Sequence, residues 1–354
     1  MALEKSSQTA ALSFDRNIVR NIGLPFVARH PPLARREAGY GKTGCPLALE
    51  NNFIRRLAAA TRTRPPVLTG IGDDGAVIQD DSGSRQIVVT DMLLDQVHFD
   101  LKTTSPRLVG QKAMLVNLSD LAAMASWPTA AFVSLAMPRH GIGDADQFLD
   151  GLYAGIQDCC DRWNFCIAGG DTNAWNGPFA INVCLTGRPM HSTIPLRSGA
   201  RPGDRLFVSG PLGGSLPSGR HLSFPPRFDV ADWLVGKGIV SAMMDLSDGL
   251  ATDLPRMAEA SGVGAVLDLA SIPVHPDVDR RLPMEARTNA ALCDGEDFEL
   301  LFAIPAHLVP RLRDVSPPFP VFEIGRVTAG LGVTIRLPDD SIQPLRQSGW
   351  QHDF

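Results

Sequence analysis

The sequence predicts a layered α/β fold (α+β layers) in two domains, and three observations predict it. Apolar runs of strand length alternate with helical periodicity in both halves of the chain, as in sheets covered by helices. A turn-rich junction, RSGARPGD at residues 197–204, divides the halves. At 354 residues the chain is long enough to bury two separate cores. The expected organisation is an extension over residues 1–49, an N-terminal domain over 50–196 and a C-terminal domain over 197–354.

Residues 1–49 stand apart by composition, with seven Lys/Arg against three acids, a Pro-Pro pair and little periodicity, so they are expected to be poorly ordered. The run AGYGKTG (38–44) is no phosphate-binding P-loop. Arg36 occupies the position of the first required glycine, and no strand leads in. Folded sequence is expected from ENNFIRRL (50–57), a short helix with Phe53, Ile54 and Leu57 on one face. Strands follow at Val67–Gly70 and Gln86–Thr90. A helix then starts at Ser105-Pro106, with serine as N-cap and proline at the first helical position, and runs to Ser126. The expected continuation is a strand at Ala130–Ala136, a helix over Asp144–Trp163 with Phe148, Leu152, Ile156 and Cys159 in register, a strand Asn164–Ala168 entering the turn GGDT, and a strand Ile181–Gly187. Past the junction come a strand at Arg205–Ser209 and a Pro/Gly/Ser-rich loop over 216–227. A strand Ser241–Leu246 then leads into a helix capped near Ser247 and stopped by Gly262, and further strands lie at Val263–Leu269 and Phe298–Ile304.

Composition excludes several classes of function. The net charge of −5 offers no general surface for nucleic acid or anionic membrane. The most apolar stretch, Leu118–Pro138, is broken by Ser119, Asp120 and Pro128, and falls short of the about 18 unbroken apolar residues of a span. The opening MALEKSSQTA has no apolar core, so no secretory leader is expected there. Six cysteines include no C-x-x-C pair, and adjacent Cys159–Cys160 suit reduced thiols. A cytoplasmic protein is the expectation.

Aspartates recur just past apolar strands, beside Gly, Ser or Thr: Asp73 and Asp74 in GIGDDGA, Asp91 in VVTDM, Asp120 in NLSDLAAM, Asp171 in AGGDT, Asp245 and Asp248 in MDLSDGL. Asp favours turns and N-caps, which accounts for any one of them. Asp120 is different. Val109, Ala113, Val116, Asp120 and Ala123 share a helix face, and an unpaired carboxylate on an apolar face requires a cation. Lys112, eight residues away along the helix, is a poor partner. Carboxylates with hydroxyl support and no paired His or Cys suit Mg²⁺, Mn²⁺ or Ca²⁺ rather than zinc. Metal ions between carboxylates and a polyphosphate explain acids where a lysine would otherwise sit.

The motifs GIGDDGAV, VTDMLLDQVHF, KAMLVNLSDLAAM, GGDT, RSGARPGD, DLSDGL and GEDFELLF occur in the order of the thiamine-monophosphate kinase family, which the chain resembles over residues 50–354. That family lies in the superfamily of aminoimidazole-ribonucleotide synthetase and selenophosphate synthetase. The resemblance implies a two-domain fold of the aminoimidazole-ribonucleotide synthetase type. It also implies a homodimer formed through a β-barrel-like pairing of N-terminal domains, and ATP-dependent conversion of thiamine monophosphate to thiamine diphosphate with several Mg²⁺ ions. By motif match it implies metal binding by Asp74, Thr90, Asp91, Asp120, Asp171, Asp245 and Asp248. It likewise implies ATP contacts from Gly170, Asp171, Arg197 and Ser247, and contacts to the phosphate acceptor from His98, Glu296 and Trp350. No catalytic base is implied, since the attacking phosphate oxygen is already ionised. Three departures bear on the acceptor: Val89 where the family has Ser or Thr, a shortened segment over 214–228, and the tail GWQHDF. Alternatives are a related ATP-dependent enzyme with another small acceptor, and a non-catalytic nucleotide-binding homologue.

Overall fold

Helix α1 (Leu49–Ala60) opens the computed structural model, which describes residues 49–314 and 317–345. Residues 1–48 of the expected extension and Trp350 lie outside the described residues. Next come β1 (Val67–Thr69), β2 (Ala76–Gln79) and β3 (Arg85–Leu94). Helix α2 (Pro106–Ala123) starts where its sequence says: the Ser105 hydroxyl accepts from the Leu108 N–H, and Pro106 needs no N–H partner. Strand β4 (Ser126–Pro138), helix α3 (Ala145–Trp163), β5 (Cys166–Trp175) and β6 (Ala180–Pro189) complete a sheet of order β1-β2-β3-β6-β4-β5. Only β4 and β5 run parallel, because the crossover helix α3 joins them.

Alternation sorts this sheet. Ile87, Val89 and Leu93 on β3 are buried toward α2 and α3. Thr90, Cys184 and Phe132 form one cross-strand row of the opposite face, and Met92, Asn182 and Ser134 the next. That face is left uncovered by the described residues, with Met92 58% and Phe132 41% exposed. On the covered face α2 and α3 approach too closely for side chains at the crossing. A Cβ on Gly110 would lie 2.1 Å from the Leu152 carbonyl oxygen, and one on Gly155 1.9 Å from that of Arg107.

After Pro189 the chain enters a second sheet through β7 (Arg205–Val208), then makes a short α4 (Ser215–Ser218), a 3-10 turn (Arg220–Leu222) and α5 (Phe228–Gly236). Then follow β8 (Ala242–Asp245), α6 (Leu250–Ser261), β9 (Gly264–Asp268), α7 (Met284–Cys293), β10 (Leu300–Ile304), α8 (Val309–Asp314), β11 (Phe322–Thr328), β12 (Gly332–Arg336) and β13 (Ile342–Pro344). Their order is β13-β12-β9-β11-β7-β10-β8. Both faces of β10 are covered, so LLFAI is apolar throughout: Leu301 and Ala303 join the core beneath α6, while Leu300, Phe302 and Ile304 join that beneath α5.

Some elements differ from expectation. GGDT is not a turn but the middle of β5, with Gly170 and Asp171 paired to Val133 and Ser134. The expected loop over 216–227 contains helical turns, and α5, α7, β2 and β11–β13 were not anticipated. Helix α2 buries nearly its whole circumference, including Lys112, Asn117 and Ser119. It lies against the first sheet and α3 on one side and against β8 and α5 on the other, so Asp120 sits on a central axle rather than on one apolar stripe.

Candidate active site

Four chain segments bring aspartates to one cavity of about 300 Å³. The turn before β2 brings Asp74, β3 brings Asp91, the last turn of α2 brings Asp120, and the end of β8 with the following turn brings Asp245, Ser247 and Asp248. Asp74, Asp120 and Asp245 each present an oxygen within 4.8 Å of the other two. Asp245 accepts from the Ser119 hydroxyl at 2.6 Å, and Asp91 and Asp120 share a hydrogen bond.

Arg197 is the cation of this group. Its Nε donates to Asp74 Oδ1 at 2.9 Å with Nη2 on the same oxygen, and its backbone N–H meets both Asp73 oxygens at 3.2 Å. Asp74 Oδ2 is buried and has no hydrogen-bond partner. Among the described residues no ion pair reaches Asp120; its charged neighbours Asp91, Asp245 and Asp74 push its carboxyl the same way as its burial. Burial, then crowding by like charge, raises this whole set. Asp73 rises to about 7 and Asp91 to about 6, while Asp120 and Asp245 go well above the ordinary range. Asp74 is raised by burial against the pull of Arg197. Too many negative oxygens for one guanidinium, one of them orphaned, is an arrangement that fits a hard divalent cation.

The other expected residues divide. Asp248 lines the cavity but is held by Arg256, which also takes Asp253 at 2.8 Å. Thr90 lines it too, yet the pleat turns its hydroxyl to the far face of the sheet, where it donates to Asn182 at 3.3 Å. His98 and Glu296 form the opposite wall with Phe298. The His98 ring Nδ1 accepts from the Leu94 N–H at 3.0 Å. Gly170 and Asp171 do not line this cavity; Asp171 is exposed on β5, accepting from Thr172 and Asn173. Sequence reasoning missed Lys112 as a site residue. Its ammonium, fully buried, donates to Glu296 Oε2 at 2.5 Å, to the His98 carbonyl at 2.7 Å and to His221 Nδ1 at 2.8 Å. A lysine inside a helix this apolar was the available signal; His221, in a Pro/Gly/Ser-rich run, gave none.

No helix among the described residues is long and apolar enough to cross a membrane. The AIR synthase related protein N-terminal domain matches residues 72–188, and the C-terminal domain of the same proteins matches 213–338. Thiamine-monophosphate kinase of Rhodopirellula baltica is 36% identical over 86% of this chain and 97% of its own length. That of Bacillus subtilis is 32% identical over 86% and 99%. The solved structure of AaThiL complexed with AMPPCP and TMP superposes with a TM-score of 0.73 at 28% identity, over 88% of this chain and 99% of that one.

Proposed function

The chain belongs to the thiamine-monophosphate kinase family, a family of enzymes, and from that premise we propose that it transfers the γ-phosphoryl group of ATP to the phosphate of thiamine monophosphate. A phosphate oxygen of the acceptor attacks the γ-phosphorus in line. One P–O bond forms, the bond to the β-phosphate oxygen breaks, and ADP leaves with the electron pair. That nucleophile is ionised at neutral pH, so no side chain has to take a proton.

The observation that carries this reading is the convergence of Asp74, Asp120 and Asp245, with Asp74 Oδ2 buried and unpartnered among the described residues. These three would hold the metal, with Asp91 and Asp248 beside them; Thr90, whose hydroxyl turns to the far face, and Asp171, outside the cavity, add no ligand to this cluster. Bound Mg²⁺ supplies charge neutralisation between the carboxylates and the polyphosphate. Arg197 fixes Asp74 and presents the remaining positive charge to ATP, which Ser247, Gly170 and Asp171 also contact. His98, Glu296 and Trp350 take the acceptor. The protein works in the cytoplasm as two domains divided near 197–204 and as a homodimer, in which the uncovered face of the first sheet, with Met92 and Phe132, meets its copy. Exposed apolar side chains on a six-stranded sheet support that pairing.

The test is direct. Purified protein with ATP, thiamine monophosphate and Mg²⁺ forms thiamine diphosphate, measured by chromatography, and chelator stops it. If thiamine monophosphate is inert while another small phosphorylated acceptor consumes ATP, the acceptor assignment is wrong. If no acceptor does, the protein is a nucleotide binder.

A further inference from the structure

The shortened segment 214–228 has a consistent partner. Along it, Arg220 donates to Asp297 at 2.9 Å, His221 Nδ1 lies 2.9 Å from Glu296, Phe224 stacks on Phe298 with ring centroids 4.0 Å apart, and Arg227 Nε donates to Glu299 at 2.8 Å. Four consecutive residues of the GEDFELLF motif are thus each held by one side chain of the same strap. The strap is anchored in turn on the first layer, where Phe228 meets the rings of Trp127 and Trp163 with centroids at 5.1 and 6.2 Å.

The held run is strained. Glu296 and Phe298 have φ of 53° and 52°, a left-handed backbone that side chains disfavour and that persists only where the surroundings enforce it. Lys112 supplies the rest of the enforcement. Its three N–H groups have three acceptors, His98 O, Glu296 Oε2 and His221 Nδ1, which keeps a fully buried ammonium satisfied. His221 Nδ1 lies 2.8 Å from the Lys112 ammonium and 2.9 Å from Glu296 Oε2, so the ring closes a three-membered contact with the two charged groups. Among the described residues, Lys112 and His221 both meet the Glu296 carboxylate at Oε2. Glu296 lines the cavity, so Oε1 is the oxygen left to receive a donor from a bound molecule.

We infer that Lys112 and the strap Arg220–Phe228 are positioning elements of the acceptor wall: Lys112 and His221 aim the Glu296 carboxylate, Phe224 sets the Phe298 ring, and together they select an acceptor whose organic part carries N–H donors and a flat ring. The assignment rests on the reading of Glu296 as an acceptor contact. Neither Lys112 nor the strap side chains Arg220, His221, Phe224 and Arg227 line the cavity that holds the acid cluster; they reach it through Glu296 and Phe298, so the strap governs the acceptor and not the nucleotide.

The experiment is steady-state kinetics on His221→Ala, His221→Asn and Lys112→Met, varying ATP and thiamine monophosphate separately. His221→Ala and Lys112→Met raise the acceptor KM about 10- to 100-fold, the loss of one hydrogen bond to a charged group, and leave the ATP KM within about twofold. His221→Asn keeps an acceptor for Lys112 near the same place and restores most of the loss. Thermal shift gives a second readout: the variants retain the rise in melting temperature with Mg·ATP and lose the further rise with thiamine monophosphate. An unchanged acceptor KM in His221→Ala, or equal rises in both KM values, overturns the strap assignment. Wild-type protein that transfers nothing to thiamine monophosphate overturns the reading of the activity instead. If Lys112→Met does not fold, the two His221 variants decide the matter.

Discussion

Replacing Asp120 by asparagine removes a charge while keeping its shape, and the cluster predicts an outcome opposite to that of an ordinary active-site lesion. In the metal-free protein the variant is more stable than wild type at pH 7.5, yet it is inactive and gains nothing from Mg²⁺. The reasoning is proton linkage. Carboxyls raised by burial and by one another bind more protons in the folded than in the unfolded chain. Below about pH 4 both states are protonated and the effect vanishes. As pH rises, the unfolded carboxyls ionise first, so unfolding stability falls until the folded groups ionise too, at about 6 for Asp91 and about 7 for Asp73. Because these acids titrate together, only one retained proton is counted. Over the two pH units between the ordinary value and that of Asp91, this is about 3 kcal/mol and about 5–10 °C in melting temperature. Calorimetry in chelator at pH 5, 6, 7 and 8 measures it. Wild type loses stability along this series, Mg²⁺ abolishes the loss at pH 8, and Asp120→Asn flattens the slope. A wild-type profile that is level or rising in chelator, or a variant that Mg²⁺ still stabilises, refutes the shared-cation account.

Arg197→Met strips the Asp73–Asp74 turn of its counter-charge, and urea unfolding in chelator at pH 7.5 shows a loss of about 3–5 kcal/mol that shrinks at pH 5.5, where Asp73 holds its proton. Equal losses at both pH values would contradict that origin. Gly155→Ala drives a methyl group into the Arg107 carbonyl and costs about 1–3 kcal/mol by the same measurement, with α2 displaced enough to lower turnover. Phe132→Asp puts a charge in the middle of the uncovered sheet face; the proposed pairing predicts that sedimentation velocity finds a dimer for the wild type and a monomer for the variant, and a dimer that persists in the variant would move the interface elsewhere.

What the sequence disclosed was local. Ser105-Pro106, Asp144 and Gly262 announce helix ends through hydrogen bonds made within a few residues, and each acts in the structure as its chemistry dictates. The apolar run LLFAI reads as a strand because both its faces are covered. Helix α5 stayed hidden because it is only nine residues long and Pro225-Pro226 precede it in a Pro/Gly/Ser-rich run, although Phe228, Val230, Ala231, Leu234 and Val235 do share one buried face opposite Asp229 and Asp232. Helix α7 has the converse problem, with only Ala291 buried. In the site, the acids were legible because a carboxylate after an apolar strand is conspicuous. Their counter-ions were not. Arg197 lies 123 residues from Asp74, and Glu296 lies 184 from Lys112, so neither pair leaves a trace in spacing. Eight residues of helix keep Lys112 from pairing with Asp120, and that spacing carries no information about which distant carboxylate the lysine serves.

One helix carries both halves of the site. Lys112 and Asp120 stand eight residues apart on α2, about 12 Å along its axis, and the turn of the helix leaves them within about 80° of one another. The first fixes Glu296, which the proposed function assigns to the acceptor wall; the second belongs to the acid cluster, which that proposal sets against the polyphosphate. An in-line transfer demands that donor and acceptor phosphates meet at one distance, and a helix buried around its circumference is among the stiffest spacers a fold offers. Its position is set by the Gly110 and Gly155 crossing with α3, where no side chain can intervene. It follows that a small shift of α2 changes the separation of the two walls without altering either one. The Gly155→Ala variant therefore separates spacing from binding: it lowers kcat while both KM values hold, whereas His221→Ala raises the acceptor KM alone. If the two variants give the same kinetic pattern, α2 is not the element that sets the distance.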